Sequence, residues 1–144
     1  MASHGPLIKQ LLNDLAQDVK GYQQLAMQLK QQHVLLTNRD SAALLSLNQE
    51  LDRLMATLST HAKQRVTSMA TMGLSQDDQG MQRLFAALPA QLGQQGRQLW
   101  QQLHKLTLEC QMLNNQNGRQ LAHQKQLMDK LLKPEQQYCY GPAL

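Results

Sequence analysis

Residues Leu99 to Tyr140 read LWQQLHKLTLECQMLNNQNGRQLAHQKQLMDKLLKPEQQYCY, and they are the most informative part of the chain. Two sets of side chains in this stretch recur every seven positions, which places both sets on one stripe of a long helix. The sets are Leu99, Leu106, Leu113, Gln120, Leu127 and Leu103, Cys110, Asn117, Gln124, Leu131. The stripe is apolar at both ends and rich in amides in its middle. A buried amide without a partner costs roughly 1 to 3 kcal/mol, so amides at such positions usually fix the register or oligomeric state of packed helices.

The composition of the whole chain indicates one all-α domain. Of 144 residues, 42% are hydrophobic, and this fraction is enough for a single core at this length. Only 3% are aromatic. Leu and Gln, both good helix formers, supply roughly a third of the residues, β-branched residues are scarce, and no segment alternates with a period of two. We therefore expect helices only.

Helical spacing and capping residues predict an elongated antiparallel bundle of three long helices with one short connecting helix. The first helix begins near Pro6, and a short turn before Asp40 and Ser41, two candidate caps, makes the second helix run antiparallel to it. Gly73 ends the second helix, and Pro89–Gly96, which contains two glycines, is expected to be a joint before the third long helix. The predicted helices span residues 6–36, 41–72, 76–88 and 97–133, with a tail at 134–144.

Charge and composition exclude several classes of partner. The net charge is +4 and the pI is about 9.3, but the basic residues are spread singly and no aromatic platform for bases accompanies them, which argues against nucleic-acid binding. The sequence has no apolar run of the roughly 20 residues that a membrane span requires and no signal-peptide pattern. Two cysteines at Cys110 and Cys139 imply no disulfide framework. We expect a cytoplasmic protein that does not insert into the membrane.

Candidate metal-binding and catalytic residues do not form a recognisable site. His104, Cys110 and His123 are six and thirteen residues apart, whereas ligands on one face of a helix need spacings of three or four. Asp77 and Asp78 point in different directions on a helix and are better placed to stabilise its start. Because no phosphate loop or activated nucleophile is present either, we expect no cofactor, no metal and no enzymatic activity. A helical binding protein is the remaining class.

Four short motifs, in this order, resemble those of the FlgN-type flagellar type III export chaperones. Leu99-Trp100 opens the third long helix, Leu113 to Gly118 forms an LNxxNG element, and Leu132-Lys133-Pro134 precedes Tyr140-Gly141. Their order and spacing over some forty residues carry the resemblance. The first half of the chain, a leucine-rich helical hairpin, matches the family less distinctively.

The resemblance implies a function and two partners. Family members are cytosolic chaperones that bind the C-terminal helical segments of hook-associated proteins, which form the hook-filament junction. They keep these subunits from assembling early and deliver them to the export gate. The resemblance also implies that Tyr140 and Gly141 dock the chaperone on the cytosolic domain of the membrane component of that gate.

The resemblance places cargo binding on the third long helix, at about Trp100 to Leu132. The residues offer a physical reason, because Trp100, Leu121, Met128 and Leu132 widen the apolar stripe sideways and could leave more apolar surface than two partner helices cover. The predicted cargo-binding residues are Trp100, Leu103, Leu106, Leu113, Asn114, Asn117, Leu121, Leu127, Met128 and Leu131.

Two alternatives remain open at this point. The stripe leucines between Leu103 and Leu131 could be core residues, Asn114 and Asn117 could fix the helix register, and Tyr140 could belong to an ordered tail without a docking role. The whole chain could also be a structural coiled-coil protein that self-associates through its third long helix.

Overall fold

The computed structural model describes residues 4–131 as backbone, with side chains as far as His123. Within that range the chain forms four helices and no strand, which confirms the predicted all-α bundle of three long helices with a short connecting one. The helices are α1 (Gly5–Asn38), α2 (Ser41–Thr71), α3 (Asp78–Ala87) and α4 (Ala90–Leu131).

Two residues with positive φ angles turn the chain at the ends of α1 and α2. Arg39 (φ 55°) follows α1, and Gly73 (φ 74°) follows α2. At each turn, the backbone N–H of the positive-φ residue and that of the residue after it donate to carbonyls near the end of the helix, for example Leu74 N to Met69 O at 2.9 Å. The residue that adopts the left-handed conformation after α1 is Arg39. The neighbouring Asn38, a residue type that tolerates this conformation better, is still part of α1.

Aspartates begin the two helices that follow these turns. Asp40 accepts a hydrogen bond from the backbone N–H of Ala43 at 3.1 Å at the start of α2, and Asp77 accepts one from Gly80 at 3.0 Å at the start of α3. The bond from Gly80, supported by one from Ser75, holds the pKa of Asp77 below its ordinary value of 3.8. Each aspartate satisfies a backbone N–H at the start of its helix and so fixes where that helix begins.

Helix α1 lies at the centre and packs along both other long helices, while α3 packs on α4. Contacts between α1 and α4 advance in the same direction along both helices. Cys110 Sγ donates to Tyr22 O at 3.4 Å, and further along Gln120 Nε2 donates to Thr37 Oγ1 at 2.9 Å. The two helices are therefore parallel, and α2 runs antiparallel to both.

Polar side chains join α1 to α2 in the interior. Asp18 is 1% exposed and receives His61 Nδ1 and Arg65 Nη1 on its two oxygens, both at 2.5 Å. The sequence shows His61 and Arg65 only as breaks in the apolar line of the second helix, because their partner lies 43 and 47 residues earlier in the chain. The structure shows that they satisfy a carboxylate that would otherwise be costly to bury.

Two apolar clusters fill the bundle. The basal core lies where α3 crosses the other helices and includes Leu11, Leu15, Val19, Met69, Met81, Leu84, Phe85 and Leu103. The hairpin core lies further along α1 and α2 and includes Leu25, Ala26, Leu29, Leu47, Leu51, Leu58 and Cys110. Cys110 is the buried member that α4 adds to the hairpin core, and the other members named here come from α1 and α2.

The expected joint at Pro89–Gly96 is wrong, because α4 is already helical from Ala90. The glycines in this segment serve close packing and not flexibility. A Cβ on Gly93 would collide with the backbone carbonyl of Phe85, and one on Gly96 would lie 2.6 Å from the Phe85 ring. The two glycines therefore let α3 fold back directly onto the first turns of α4.

Candidate functional site

The seven-residue stripe of α4 faces α1 along the described part of the helix. Leu103 is 4% exposed, Cys110 is fully buried and Asn117 is 1% exposed. Asn114, beside them, is also buried. Leu103, Asn114 and Asn117 therefore lie inside the helix interface in this conformation, and they are accessible to a partner only when α4 separates from α1.

The amides in the middle of the stripe form a relay across all three long helices. Asn117 Nδ2 donates to the Leu29 carbonyl at 2.7 Å and to Gln32 Oε1 at 2.9 Å. Gln32 Nε2 in turn donates to Asn48 Oδ1 at 2.8 Å. A one-residue shift of α4 would break these bonds, so the relay fixes the register of α4 on α1 and α2.

The same region contains polar atoms that have no partner among the described residues. They are Asn117 Oδ1, Gln120 Oε1 and His33 Nδ1, all near the contact between α1 and the distal part of α4. A buried polar group without a partner costs about 1 to 3 kcal/mol, whereas a satisfied hydrogen bond contributes about 0.5 to 1.5 kcal/mol. The amide part of the interface therefore contributes little net stability.

The apolar flank of α4 is only partly covered. Trp100, Leu106, Leu113 and Leu121, all predicted cargo-binding residues, are neither fully buried nor fully exposed. Leu106 packs against the basal core and Leu113 against the hairpin core. Trp100, Leu106 and Leu113 therefore pack on the bundle with one edge and present the other edge to solvent, and Leu121 is likewise partly exposed.

Trp100 also has a polar contact that ties α4 to α3. Its indole Nε1 donates to Asp78 Oδ1 at 2.7 Å. The ring borders a cavity of about 170 Å³ between α2, α3 and α4, whose lining includes Val66, Met69 and Met81. Trp100 thus combines an apolar surface next to an open cavity with an anchored edge, a combination that is typical of binding aromatics.

The end of α4 extends past the hairpin turn. Gln120 bonds to Thr37 in the last turn of α1, and α4 continues from there to Leu131, about 16 Å at 1.5 Å per residue. Leu127, Met128 and Leu131 belong to this extension by sequence, but their side chains lie outside the described residues. Leu132, Tyr140 and Gly141 lie outside them altogether.

Sequence analysis missed an exposed apolar pair on α4. Leu108 is 53% exposed and Met112 is 64% exposed. Both face away from α1, since they lie off the stripe by a third to a half turn of helix. An apolar pair four residues apart on the predicted outer face was the available signal, because the i, i+4 spacing places the two side chains side by side.

A larger groove lies away from every predicted site residue. It has a volume of about 490 Å³ between α1 and α2 near their turn, and its lining includes Val34, Leu35, Ala43 and Leu47. The size of a groove alone therefore does not mark the predicted cargo surface.

The thiol of Cys110 is buried where the basal and hairpin cores meet. Burial, with a smaller contribution from nearby Glu109, raises its pKa to about 12. Burial likewise raises the pKa of Tyr22, whose backbone carbonyl accepts from this thiol. Cys110 is a protonated packing residue at neutral pH, and its chemistry is not that of a nucleophile.

Within residues 4–131, no helix combines the length and the apolar character that crossing a membrane requires. A search of curated proteins gave no match. Among solved structures, the chain is similar to a Pseudomonas aeruginosa protein assigned to flagella synthesis as FlgN, with 26% identity and a TM-score of 0.69. The similarity covers 85% of this chain and 95% of that one. The family described as FlgN protein matches residues 1–138. The resemblance drawn from the motifs is therefore confirmed, and the chain belongs to the FlgN family.

Proposed function

We propose that this protein is a cytoplasmic chaperone that binds the C-terminal helical segments of hook-associated proteins, prevents their early assembly and delivers them to the type III export gate. FlgN is a chaperone family of flagellar synthesis, and membership supports the class of this function. The single observation that carries the proposal is the half-covered apolar flank of α4 between Trp100 and Leu121. The proposed role is binding and involves no catalysis, cofactor or nucleic acid.

The binding mode we propose is an amphipathic cargo helix lying along this flank. Burial of about five leucine-sized side chains at roughly 1.5 to 3 kcal/mol each gives a gross gain of about 10 kcal/mol. The costs of association and of ordering the cargo reduce this to micromolar or nanomolar affinity. That strength is sufficient to hold a subunit and still release it at the gate.

The predicted cargo-binding residues divide into three groups by access. Trp100, Leu106, Leu113 and Leu121 have exposed edges and are proposed to make the first contact. Leu127, Met128 and Leu131 are proposed to extend that contact along the end of α4. Those that remain are buried, and they are Leu103, Asn114 and Asn117. Asn114 and Asn117 would join once the distal part of α4 leaves α1, whereas Leu103 would join only if the basal core around it also opened.

Light scattering of the purified chain with a hook-associated protein tests the proposal. A chaperone forms a complex of defined stoichiometry, so we expect a new species whose molar mass is that of chaperone plus cargo. Unchanged masses of the two separate proteins at micromolar concentrations would contradict it.

Gate docking by the tail is a separate part of the proposal. Tyr140→Ala should leave cargo affinity unchanged but reduce pull-down of the cytosolic domain of the gate component, because an aromatic side chain usually dominates a small interface. Tyr138→Ala is the matched control. Equal recovery of the gate domain by the wild type and Tyr140→Ala would remove the tail from the docking site.

Self-association through α4 remains a second candidate, and the exposed pair Leu108 and Met112 favours it. The same light-scattering run separates the two functions. A structural oligomer has a mass that is a multiple of 16.3 kDa without cargo and does not change when a hook-associated protein is added.

A further inference from the structure

We propose that α4 is divided near Cys110 into a fixed basal half, Ala90–Cys110, and a distal half, 111–131, that opens from the bundle while the rest of the chain stays folded. This is a property of the free chain and does not depend on the identity of its cargo. It assigns a location and a cause to motion of the helix that carries the proposed cargo surface.

The basal half is held by apolar burial from two sides. Leu103 is inside the basal core, and Leu99, Trp100 and Leu106 pack around it. On the other side, α3 contacts the first turns of α4 through Phe85, which Gly93 and Gly96 admit at close range. To open this half, the chain must expose a continuous apolar core to water.

The distal half is held mainly by amides. Past Cys110, the described side chains that hold α4 against α1 and the hairpin core include the partly buried Leu113, the buried Asn114 and the hydrogen-bonded Asn117 and Gln120. Water can replace each of these hydrogen bonds when the helix leaves. The unpartnered oxygens of Asn117 and Gln120 gain partners from water on opening, which further lowers the cost.

The hairpin does not need the distal half in order to stay folded. Apart from Cys110, the buried members of the hairpin core belong to α1 and α2. These two helices are also joined by the contacts of Asp18 with His61 and Arg65 and by the hydrogen bond from Gln32 to Asn48. Opening beyond Cys110 therefore leaves both apolar cores in place, which makes it a local event and not global unfolding.

Hydrogen exchange of the full chain without cargo tests the division. The backbone amides of residues 113–120 should be protected at least 100-fold less than those of residues 99–106. Both segments lie inside α4, so helix formation alone predicts similar protection. Equal protection of the two segments, within a factor of three, would overturn the proposal.

A double variant distinguishes opening caused by the polar contact of Asn117 with Gln32 from ordinary fraying of a helix end. Asn117→Leu with Gln32→Leu replaces the hydrogen-bonded pair by an apolar one and should raise protection of residues 113–120 at least tenfold. Asn115→Leu, the same exchange on the exposed face, should leave it unchanged. If the double variant does not fold, the single Asn117→Leu variant serves instead. Unchanged protection of residues 113–120 in the Asn117→Leu, Gln32→Leu variant would mean that end fraying causes their exchange, and would overturn the proposal.

Discussion

The two halves of α4 contact the same helix with the same seven-residue spacing but with different chemistry. The basal half places Leu103 in a core shared with α3, whereas the distal half places Asn117 against Gln32 and the Leu29 carbonyl. Apolar burial contributes stability that water cannot replace, while a buried hydrogen bond mostly exchanges for one with water. A continuous helix therefore does not guarantee a continuous interface, since α4 is helical over its whole length but is held by apolar burial over only its basal half.

Truncating one leucine in each half should separate the two halves most strongly. Leu103→Ala should lower the free energy of unfolding by about 2 to 5 kcal/mol, because it leaves a cavity in the basal core. Leu113→Ala should lower it by only about 1 kcal/mol, since this side chain is half covered and its site can fill with water. Urea denaturation followed by circular dichroism measures both values. Equal losses would break the distinction between the halves.

A second prediction sharpens the basal side. Gly93→Ala should destabilise the chain by about 1 to 3 kcal/mol, because the new Cβ collides with the Phe85 carbonyl and pushes α3 from α4. Helix propensity alone predicts the opposite sign, a gain of about 1 kcal/mol. Gln95→Ala, on an exposed position of the same turn, is the control and should be nearly neutral. Stabilisation by Gly93→Ala would restore this segment as a loose joint.

A third prediction concerns the boundary between the halves. The pKa of Cys110 is about 12 in the folded chain, above its ordinary value of 9.0. The folded state thus holds the thiol proton more tightly than the unfolded state does. The stability that the protonated thiol contributes is therefore complete below pH 9 and is lost as the pH rises from about 9 toward 12. The free energy of unfolding of the wild type should fall more steeply over pH 9 to 11 than that of Cys110→Ala. Parallel curves would show that the thiol is not buried as described.

Alkylation gives an independent measurement of the same thiol. In a Cys139→Ser background at pH 8, Cys110 should react about 100-fold more slowly in native buffer than in urea, since burial suppresses both access and the thiolate. Similar rates would place Cys110 on the mobile side of the boundary.

Much of the fold was predictable because its signals are local. Periodic leucines, the aspartate at position 40 and Gly73 set the type and order of the helices without any knowledge of their partners. The start of α4 was not predictable, since Gly93 and Gly96 look like helix breakers until Phe85 lies against them. The partner of His61 and Arg65 was hidden for the same reason, as Asp18 becomes their neighbour only through packing.

The candidate site was predictable in part. Seven-residue spacing identifies which face of α4 meets other helices, and the amides in it indicate register-fixing contacts, as the relay through Asn117 shows. Spacing does not show how far a neighbouring helix covers that face. It therefore does not separate the buried Asn117 from the half-exposed Leu121, and it gives no weight to Leu108 and Met112 on the far side.

Cargo binding by two double variants of α4 shows which face of this helix binds the cargo helix. We predict that Leu127→Asp with Leu131→Asp abolishes calorimetric binding of the C-terminal helical segment of a hook-associated protein, while the helical content of the hairpin is unchanged. Leu108→Asp with Met112→Asp, which alters the outer face, should leave the affinity within about threefold of the wild type. The account is contradicted if the first variant still binds cargo, or if the second loses binding and the first does not.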